Sequence, residues 1–212
     1  SLADRVILDT NEHIKYFVRT FRIKKDKFTR AFVGTDTDVF FPRKKKPHKD
    51  FVVGFHGSFL PLQGVDTIIE SARILNKKKD IVFKLLGDGI EKNKCQGLVK
   101  KYKLTNVEFL APVPYTELPE FISLSSIYLG GPFGKNEKSA LVIPNKVYEA
   151  MAMQKPVIVG DTSATRELFS DNIHCLFVKQ NSSRQLTQAI LRFKKDSLLR
   201  EKIADGGYNL LV

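Results

Sequence analysis

The most informative stretch of the chain reads Pro144-Asn145-Lys146-Val147-Tyr148-Glu149-Ala150-Met151-Ala152, and Lys155-Pro156-Val157-Ile158-Val159 follows it closely. This pattern predicts a short helix, with proline in its first turn, that leads into a buried strand. The free backbone N–H groups and the dipole at a helix start favour a bound phosphate. Lys146 and Glu149 lie one turn apart and project to the same side of the helix. A cation, a carboxylate and oriented amides on one side suit a nucleoside diphosphate with its ribose.

Strands and helices alternate along most of the rest of the chain. Apolar strands are predicted at 51–56, 81–86, 107–110, 127–130, 157–159 and 175–178. Helices are predicted at 65–75, 92–102, 117–123, 145–153, 183–194 and 198–206, with a helical turn at 164–169. Short apolar strands separated by amphipathic helices indicate a parallel sheet covered on both faces. We therefore predict a doubly wound, Rossmann-like α/β domain whose ligands bind outside the carboxyl ends of the strands.

The composition is that of a globular protein with one sizeable core. The chain has 212 residues, of which 42% are hydrophobic and 27% charged. No apolar run approaches the roughly 18 residues that a transmembrane helix needs, and residues 1–9 lack the pattern of a signal peptide. Cys95 and Cys175 are isolated and lack metal-ligand spacing, so we expect them to be ordinary thiols. These features favour a cytoplasmic protein.

The net charge of +12 has more than one interpretation. Lysine-rich runs occur at 24–27, 44–46, 77–79 and 194–195, in predicted loops or helix ends. We expect solvated surface lysines, and attraction to an anionic membrane surface or to phosphorylated substrates stays open as the alternative. Nucleic-acid binding is disfavoured, because basic residues are not interleaved with aromatic ones along one surface.

Further short blocks occur in a fixed order along the chain. They are Ala3-Asp4-Arg5-Val6-Ile7, Val33-Gly34-Thr35-Asp36 with Phe41-Pro42, Gly54-Phe55-His56-Gly57-Ser58 with Gln63-Gly64, Leu86-Gly87-Asp88-Gly89, and Val107-Glu108-Phe109-Leu110 with Pro114. With the Glu149-Ala-Met-Ala helix, they resemble the C-terminal domain of the retaining group 1 (family 4) glycosyltransferases of GT-B fold. The resemblance covers nearly the whole chain.

The resemblance implies the domain organisation. Residues 1–45 are then the end of an N-terminal domain and the interdomain linker, with a strand at 5–8, a helix at 12–20 and a basic loop. Residues 46–212 are the nucleotide-sugar-binding domain, truncated at its C-terminus. We expect this fragment to bind the donor but to be inactive alone, because the acceptor is held by the missing N-terminal domain.

The implied activity is a retaining transfer of a hexose or related sugar. The donor is a nucleoside-diphosphate sugar, and the acceptor is a glycan or a lipid-linked glycan in cell-surface polysaccharide biosynthesis. The resemblance also implies that no cofactor and no metal take part, with positive side chains and helix dipoles acting at the leaving group. The Asp36-Thr37-Asp38 pair lies in the linker rather than at a strand end of the catalytic half.

The resemblance also assigns site residues. Glu149 receives the ribose hydroxyls, and the predicted helix start at Pro144 and Asn145 lies beside it. The diphosphate lies against a glycine-rich turn, and further glycines wall the cleft. The assigned residues are Gly57, Ser58, Gln63 and Gly64 for the diphosphate, Gly87, Asp88 and Gly89 for the wall, and Pro112 and Val113 for the base.

Three positions depart from the family pattern. Ser58 and Gln63 stand where arginine and lysine are common, so Lys146 is predicted to supply the catalytic cation, with Lys135 and Lys138 in reserve. Leu141 replaces the first glutamate of the family's paired-glutamate motif. Glu137, four residues earlier, is the predicted substitute.

Several alternatives stay open. The missing charges also fit a degenerate domain that binds nucleotide sugars without chemistry, and a sugar-nucleotide epimerase of the same fold is a third alternative. His56 at a strand end suits either a ligand contact or a satisfied histidine at the edge of the core. Arg166 and Glu167 are interpreted as mainly structural.

Overall fold

The computed structural model describes residues 3–43 and 49–212. The lysine run at 44–46 and the predicted boundary after residue 45 therefore lie outside the described residues. The strands are β1 (Val6–Leu8), β2 (Phe28–Arg30), β3 (Phe51–His56), β4 (Ile81–Leu86), β5 (Val107–Leu110), β6 (Ile127–Gly131), β7 (Val157–Asp161) and β8 (Leu176–Lys179). The helices are α1 (Asn11–Phe21), α2 (Val65–Leu75), α3 (Lys92–Lys101), α4 (Leu118–Ser123), α5 (Asn145–Ala152), α6 (Ser183–Lys195) and α7 (Ser197–Leu211). Within the described ranges, no helix is both long and apolar enough to cross a bilayer.

Six parallel strands form the main sheet, in the order β5-β4-β3-β6-β7-β8. The predicted doubly wound α/β architecture is confirmed. The chain runs outward from β3 to β5 and then returns to place β6 on the other side of β3. The strand order therefore reverses between β3 and β6. In such sheets the crevice outside the carboxyl ends of these two strands is where ligands bind.

Both faces of the sheet are buried because its strands are apolar on both sides. In β7, Ile158 belongs to a core cluster that includes side chains of α2 and α6. Its neighbours Val157 and Val159 belong to a second cluster with side chains of α4 and α5. The alternation follows from the two-residue period of a strand. Burying each such side chain contributes about 1.5–3 kcal/mol to folding.

The N-terminal segment forms a separate two-stranded parallel sheet from β1 and β2. The predicted strand and helix are present, but the predicted basic loop is wrong at Phe28–Arg30, where β2 lies. This strand has three residues, of which only Phe28 is buried, so its local pattern is too short to be recognised. It exists because β1 pairs with it. The helix α1 is fixed to the main domain, because Asn11 N and Glu12 N donate to the Glu167 carboxylate at 2.7 and 2.9 Å.

The final helix extends beyond its predicted end at residue 206. α7 continues to Leu211 through Gly206 and Gly207. A Cβ at Gly206 would lie 2.1 Å from Ile173 O, and one at Gly207 would lie 2.9 Å from Met151 Cγ. These glycines therefore permit close packing of α7 and do not terminate the helix.

The close approach of β7 to the loop after β6 provides a test of packing. A Cβ at Gly160 would lie 1.9 Å from Pro132 O, and backbone atoms cannot move aside cheaply. We expect Gly160→Ala to lower the free energy of unfolding by about 2–3 kcal/mol, measured by chemical denaturation. Gly97→Ala in α3 is the matched control, because nothing lies within 4 Å of its added methyl group. It should raise stability by about 0.5–1 kcal/mol, since alanine is the better helix former.

If both variants shift stability in the same direction by the same amount, this account of the Gly160 contact is wrong.

Candidate functional site

Lys146, in the first turn of α5, reaches the carboxyl end of β3. Its Nζ donates a hydrogen bond of 2.8 Å to Gln63 Oε1 and lies 5.2 Å from the ring centroid of Phe55. A Cβ at Gly57 would lie 3.0 Å from Lys146 Cε and 3.1 Å from Nζ. Gly57 also has a φ of +141°, which side chains of L-residues rarely adopt. The predicted cation and two residues of the predicted diphosphate turn are therefore in direct contact.

Burial changes the acidity of this ammonium. Lys146 is only 5% exposed, and burial lowers its pKa to about 8, while the charge of Glu149 acts in the opposite direction. A partly desolvated ammonium interacts strongly with an anion that enters beside it, because the local dielectric constant is low. The ammonium form of Lys146 would therefore attract an anion bound beside it.

Glu149 lies one turn further along α5 and faces the last residue of β3. Its Oε2 is 2.9 Å from His56 Nε2, and the residue is 6% exposed. Although the two atoms are close, their geometry is not that of an aligned hydrogen bond, and Oε2 has no hydrogen-bond partner. Leaving a buried acceptor unsatisfied costs about 1–3 kcal/mol, which a donor from a ligand would recover.

The predicted diphosphate turn is joined to the loop after β6. Phe133 N donates to Gln63 O at 3.2 Å, and Gly134 N donates to Leu62 O at 3.1 Å. Gly64 has a φ of +65°, and a Cβ there would lie 2.3 Å from Gly134 N. The turn and the loop are therefore packed backbone against backbone.

The Gly87-Asp88-Gly89 turn supports the diphosphate turn from the side of β4. A Cβ at Gly87 would lie 2.0 Å from Gly57 O, and Phe59 N donates to Asp88 O at 2.7 Å. The Asp88 carboxylate is exposed and turns to Gly89 N at 2.7 Å and Lys92 Nζ at 3.2 Å. These residues hold the neighbouring turn in place, and the Asp88 side chain is engaged locally.

The remaining predicted site residues differ in exposure. Ser58, Pro112, Glu137 and Asn145 are exposed, Val113 is half-buried and Pro144 is buried before α5. Tyr115 follows the predicted base loop, and burial together with the charge of Glu149 raises its pKa. Tyr115, which follows this loop, is therefore within electrostatic reach of Glu149. The exposed position of Glu137 does not bring it into contact with Lys146 or Glu149.

Several polar residues away from Lys146 and Glu149 have partners of their own within the fold. Arg166 donates to both oxygens of Asp161, at 2.5 and 2.9 Å, and Glu167 caps α1. His174 Nδ1 accepts a hydrogen bond from Ser170 N at 3.1 Å. Lys135 and Lys138, the reserve cations, are exposed. Cys95 and Cys175 are buried, and burial raises the pKa of both thiols.

Several surface clefts of the described residues lie away from Lys146 and Glu149. One, of 610 Å³, lies at the carboxyl ends of β7 and β8, and another, of 440 Å³, lies at the amino ends of the strands. A third, of 280 Å³, borders β8 and α6. Over residues 3–43 and 49–212, no group of three or more His, Cys, Asp or Glu side chains is arranged to hold a metal ion. Metal-independent chemistry stays a prediction.

Sequence reasoning missed the role of Tyr128. This tyrosine lies fully buried in β6, and its hydroxyl is hydrogen-bonded to His56 Nδ1. A tyrosine within an otherwise apolar strand was the available signal, because a buried phenol usually requires a hydrogen-bond partner.

Comparison with known proteins places the chain in a family. The sequence profile of "Glycosyl transferases group 1" matches residues 36–210. The chain belongs to this family. An uncharacterized glycosyltransferase of Methanocaldococcus jannaschii is 29% identical over 160 residues, which is 72% of this chain and 41% of that protein. The putative teichuronic acid biosynthesis glycosyltransferase TuaC of Bacillus subtilis is 24% identical over 152 residues, covering 72% of this chain and 35% of TuaC.

A solved structure shows the same fold. The crystal structure of Anabaena HepE in complex with UDP and glucose superposes with a TM-score of 0.84 at 16% identity. The match covers 99% of this chain and 58% of HepE. The GT-B, Rossmann-like architecture is therefore confirmed. The chain spans less than half the length of the two curated relatives.

The buried Lys146 of this glycosyltransferase chain predicts a pH dependence of stability. Its pKa is about 8 in the folded state and 10.5 as the ordinary value, so between these pH values the unfolded state holds more protons. Stability therefore rises with pH in this window, by about 3 kcal/mol in total. We expect this rise, measured by denaturation at a series of pH values, to be absent in Lys146→Met.

Lys138→Met removes an exposed ammonium instead, and its curve should run parallel to that of the wild type. A wild-type curve parallel to that of Lys146→Met would show that Lys146 is charged to the same extent in both states.

Proposed function

We propose that the chain binds a nucleoside-diphosphate sugar and forms the donor half of a retaining glycosyltransferase. The observation that carries this proposal is the convergence of Lys146, Glu149 and Gly57 at the point where the strand order reverses. The Lys146 ammonium on α5 lies against the glycine turn that follows β3. Such an arrangement suits the binding of a diphosphate. The carboxylate one turn later faces the same crevice and suits the ribose hydroxyls. The crystal structure of HepE contains UDP and glucose, which agrees with such a donor.

Lys146 is the group that acts on the leaving diphosphate in this proposal. When the bond between the anomeric carbon and the β-phosphate oxygen breaks, its electron pair goes to the diphosphate. A positive charge already positioned there stabilises the developing negative charge without further reorganisation. The acceptor hydroxyl forms the new bond to the anomeric carbon and passes its proton to the departing diphosphate oxygen. Gln63, uncharged where the family has a lysine, orients the Lys146 ammonium.

The sugar is assigned to the loop that follows β6. Asn136 and Ser139 hold this loop through hydrogen bonds of 3.0 Å from Asn136 N to Ser139 Oγ and 2.8 Å from Ser139 N to Asn136 Oδ1. Gln180 Nε2 adds bonds to Gly134 O at 2.7 Å and Ser139 Oγ at 2.9 Å. The loop is therefore held by bonds within itself and by the side chain of Gln180. Glu137 lies exposed on it, where it can contact a sugar hydroxyl in place of the glutamate that Leu141 replaces.

The class of acceptor is inferred from the relatives of this chain. TuaC is named for teichuronic acid biosynthesis, which supports a glycan or lipid-linked acceptor in cell-surface polysaccharide synthesis. The chemistry is assigned to the charged side chains and needs no metal in this scheme. The basic surface supports a peripheral contact with an anionic membrane, which would bring the enzyme to a lipid-linked acceptor.

A second candidate is a domain that binds nucleotide sugars without catalysing transfer. One observation favours it: Lys146 stands alone at the diphosphate turn, with Ser58 and Gln63 uncharged beside it. Assays of a full-length protein with labelled sugar nucleotides separate the two. Transfer to an acceptor supports the enzyme, whereas binding without transfer or hydrolysis supports the second candidate.

Donor binding provides the direct test of the proposal. We expect uridine or guanosine diphosphate at millimolar concentration to raise the melting temperature of the chain. At a 100-fold excess over Kd the stabilisation is about 2.7 kcal/mol. Glu149→Ala should abolish the shift, because the ribose hydroxyls lose their acceptor. Glu201→Ala, an exposed position on α7, is the matched control and should keep it.

If neither nucleotide changes the melting curve of the wild-type chain, the donor-site assignment is wrong.

The affinity should also depend on pH through Lys146. A bound diphosphate favours the ammonium form, whereas the free chain loses this proton above pH 8. The affinity measured by calorimetry should therefore fall about tenfold between pH 7 and pH 9. Lys146→Met should bind more weakly and show a flatter profile, and ionisation of the base affects both proteins alike. A wild-type profile as flat as that of the variant would remove Lys146 from the diphosphate site.

A further inference from the structure

A line of three polar side chains crosses the crevice between β3, β6 and α5. The Tyr128 hydroxyl is hydrogen-bonded to His56 Nδ1, and His56 Nε2 lies 2.9 Å from Glu149 Oε2. All three residues are buried. They come from three separate elements, so only the folded chain aligns them.

The protonation states of Tyr128 and His56 follow from their surroundings. Burial lowers the pKa of His56, whereas burial and the charge of Glu149 raise the pKa of Tyr128. The ring is therefore neutral at pH 7 and carries one N–H, while Tyr128 keeps its proton. An ionised carboxylate only accepts hydrogen bonds, so the ring proton belongs on Nε2 and Nδ1 accepts from Tyr128. The Tyr128 hydroxyl then donates to His56 Nδ1, and the protonated Nε2 of His56 lies beside Glu149 Oε2.

The packing leaves Tyr128 no freedom to turn away. The phenol is completely buried, and its ring lies edge-to-face against Phe121 with centroids 6.4 Å apart. The His56 ring lies 5.7 Å from it. Gly54 lies beside the same ring, and a Cβ there would be 3.0 Å from Tyr128 Cε2. Because the phenol is enclosed on all sides, its hydroxyl favours one tautomer and one orientation of the imidazole.

We propose that His56, oriented by Tyr128, is a positioning residue that sets the direction of the Glu149 carboxylate toward the two ribose hydroxyls of the nucleotide. This inference rests on the proposed function, because it assigns a role to a neighbour of the ribose carboxylate. The His56 ring lies against one side of the carboxylate, with Nε2 2.9 Å from Oε2, and so limits how the carboxylate can rotate. The lone-pair sites of the carboxylate, about four in number, stay available to donors of the ligand, in agreement with the unsatisfied Oε2. Unlike a histidine that only closes the edge of the core, His56 then affects the recognition of the ribose in particular.

The experiment compares a nucleotide with its counterpart that lacks both hydroxyls. Uridine or guanosine diphosphate, whichever the wild-type chain binds, and the matching 2′,3′-dideoxynucleotide are titrated by calorimetry. The variants are His56→Leu, which removes both ring contacts, His56→Gln, which keeps a donor toward Glu149, and Tyr128→Phe, which removes the orienting hydroxyl. Tyr148→Phe is the matched control, since it removes a buried hydroxyl from the residue next to Glu149. Circular dichroism and melting curves establish that each variant folds.

The expected result is a loss of ribose preference. The wild type should prefer the ribonucleotide about tenfold or more, as charge-assisted hydrogen bonds predict. His56→Leu should bind the ribonucleotide about tenfold more weakly and the dideoxynucleotide with unchanged affinity. His56→Gln should recover most of the preference, Tyr128→Phe should fall between, and Tyr148→Phe should match the wild type. Nitrogen NMR of the wild-type chain should find the His56 proton on Nε2, and Tyr128→Phe should disturb this tautomer.

Three outcomes would overturn the inference. If His56→Leu keeps the wild-type preference, or weakens both nucleotides equally, His56 has a structural role and the proposed function survives. A wild-type His56 protonated on Nδ1 contradicts the direction of the line, even if every variant fails to fold. A wild-type chain that binds neither diphosphate overturns the proposed function first and this inference with it.

Discussion

The contact between the Lys146 ammonium and the exit of β3 is the constraint on which the candidate site depends. Moving an ammonium out of water costs several kcal/mol, so the surrounding groups must compensate. Gln63 Oε1 accepts its hydrogen bond, the face of Phe55 lies 5.2 Å away, and Glu149 contributes an opposite charge. The lysine stem also occupies the space beside Gly57. These interactions fix the rotation of α5, and that rotation turns Glu149 toward His56.

The topology of the sheet explains why these groups meet at all. Because every strand of the main sheet is parallel, all carboxyl ends lie at one edge, and the turns that follow β3, β4 and β6 are neighbours. Backbone contacts then lock the turns together, through Gly64 against Gly134 and Gly87 against Gly57. The predicted diphosphate turn is thus contacted from both sides. Such contacts suit a site whose charges must be positioned before a substrate arrives.

The chain places its positive charge differently from the pattern seen in its family. Family members commonly carry charges at the positions of Ser58 and Gln63, on the turn itself. Here the turn is uncharged, and the ammonium reaches it from α5. The consequence at this turn is a deeply buried cation whose charge depends on pH near 8. The same burial makes neighbouring polar groups, His56 and Tyr128 among them, depend on one another for hydrogen bonds.

The sequence by itself determined the alternation of strands and helices, the parallel sheet, the family, and the shared side of Lys146 and Glu149, because these follow from local periodicity and ordered motifs. The sequence did not predict β2 or the full length of α7. The strand β2 exists only through pairing with β1, and α7 continues through glycines that suit its packing. Only the tertiary structure decided which atoms face Lys146 and Glu149. Their partners Gln63 and His56 lie far away in the chain, and Glu137 stays at the surface. Such contacts depend on the register of the sheet and the rotation of α5, which no local pattern encodes.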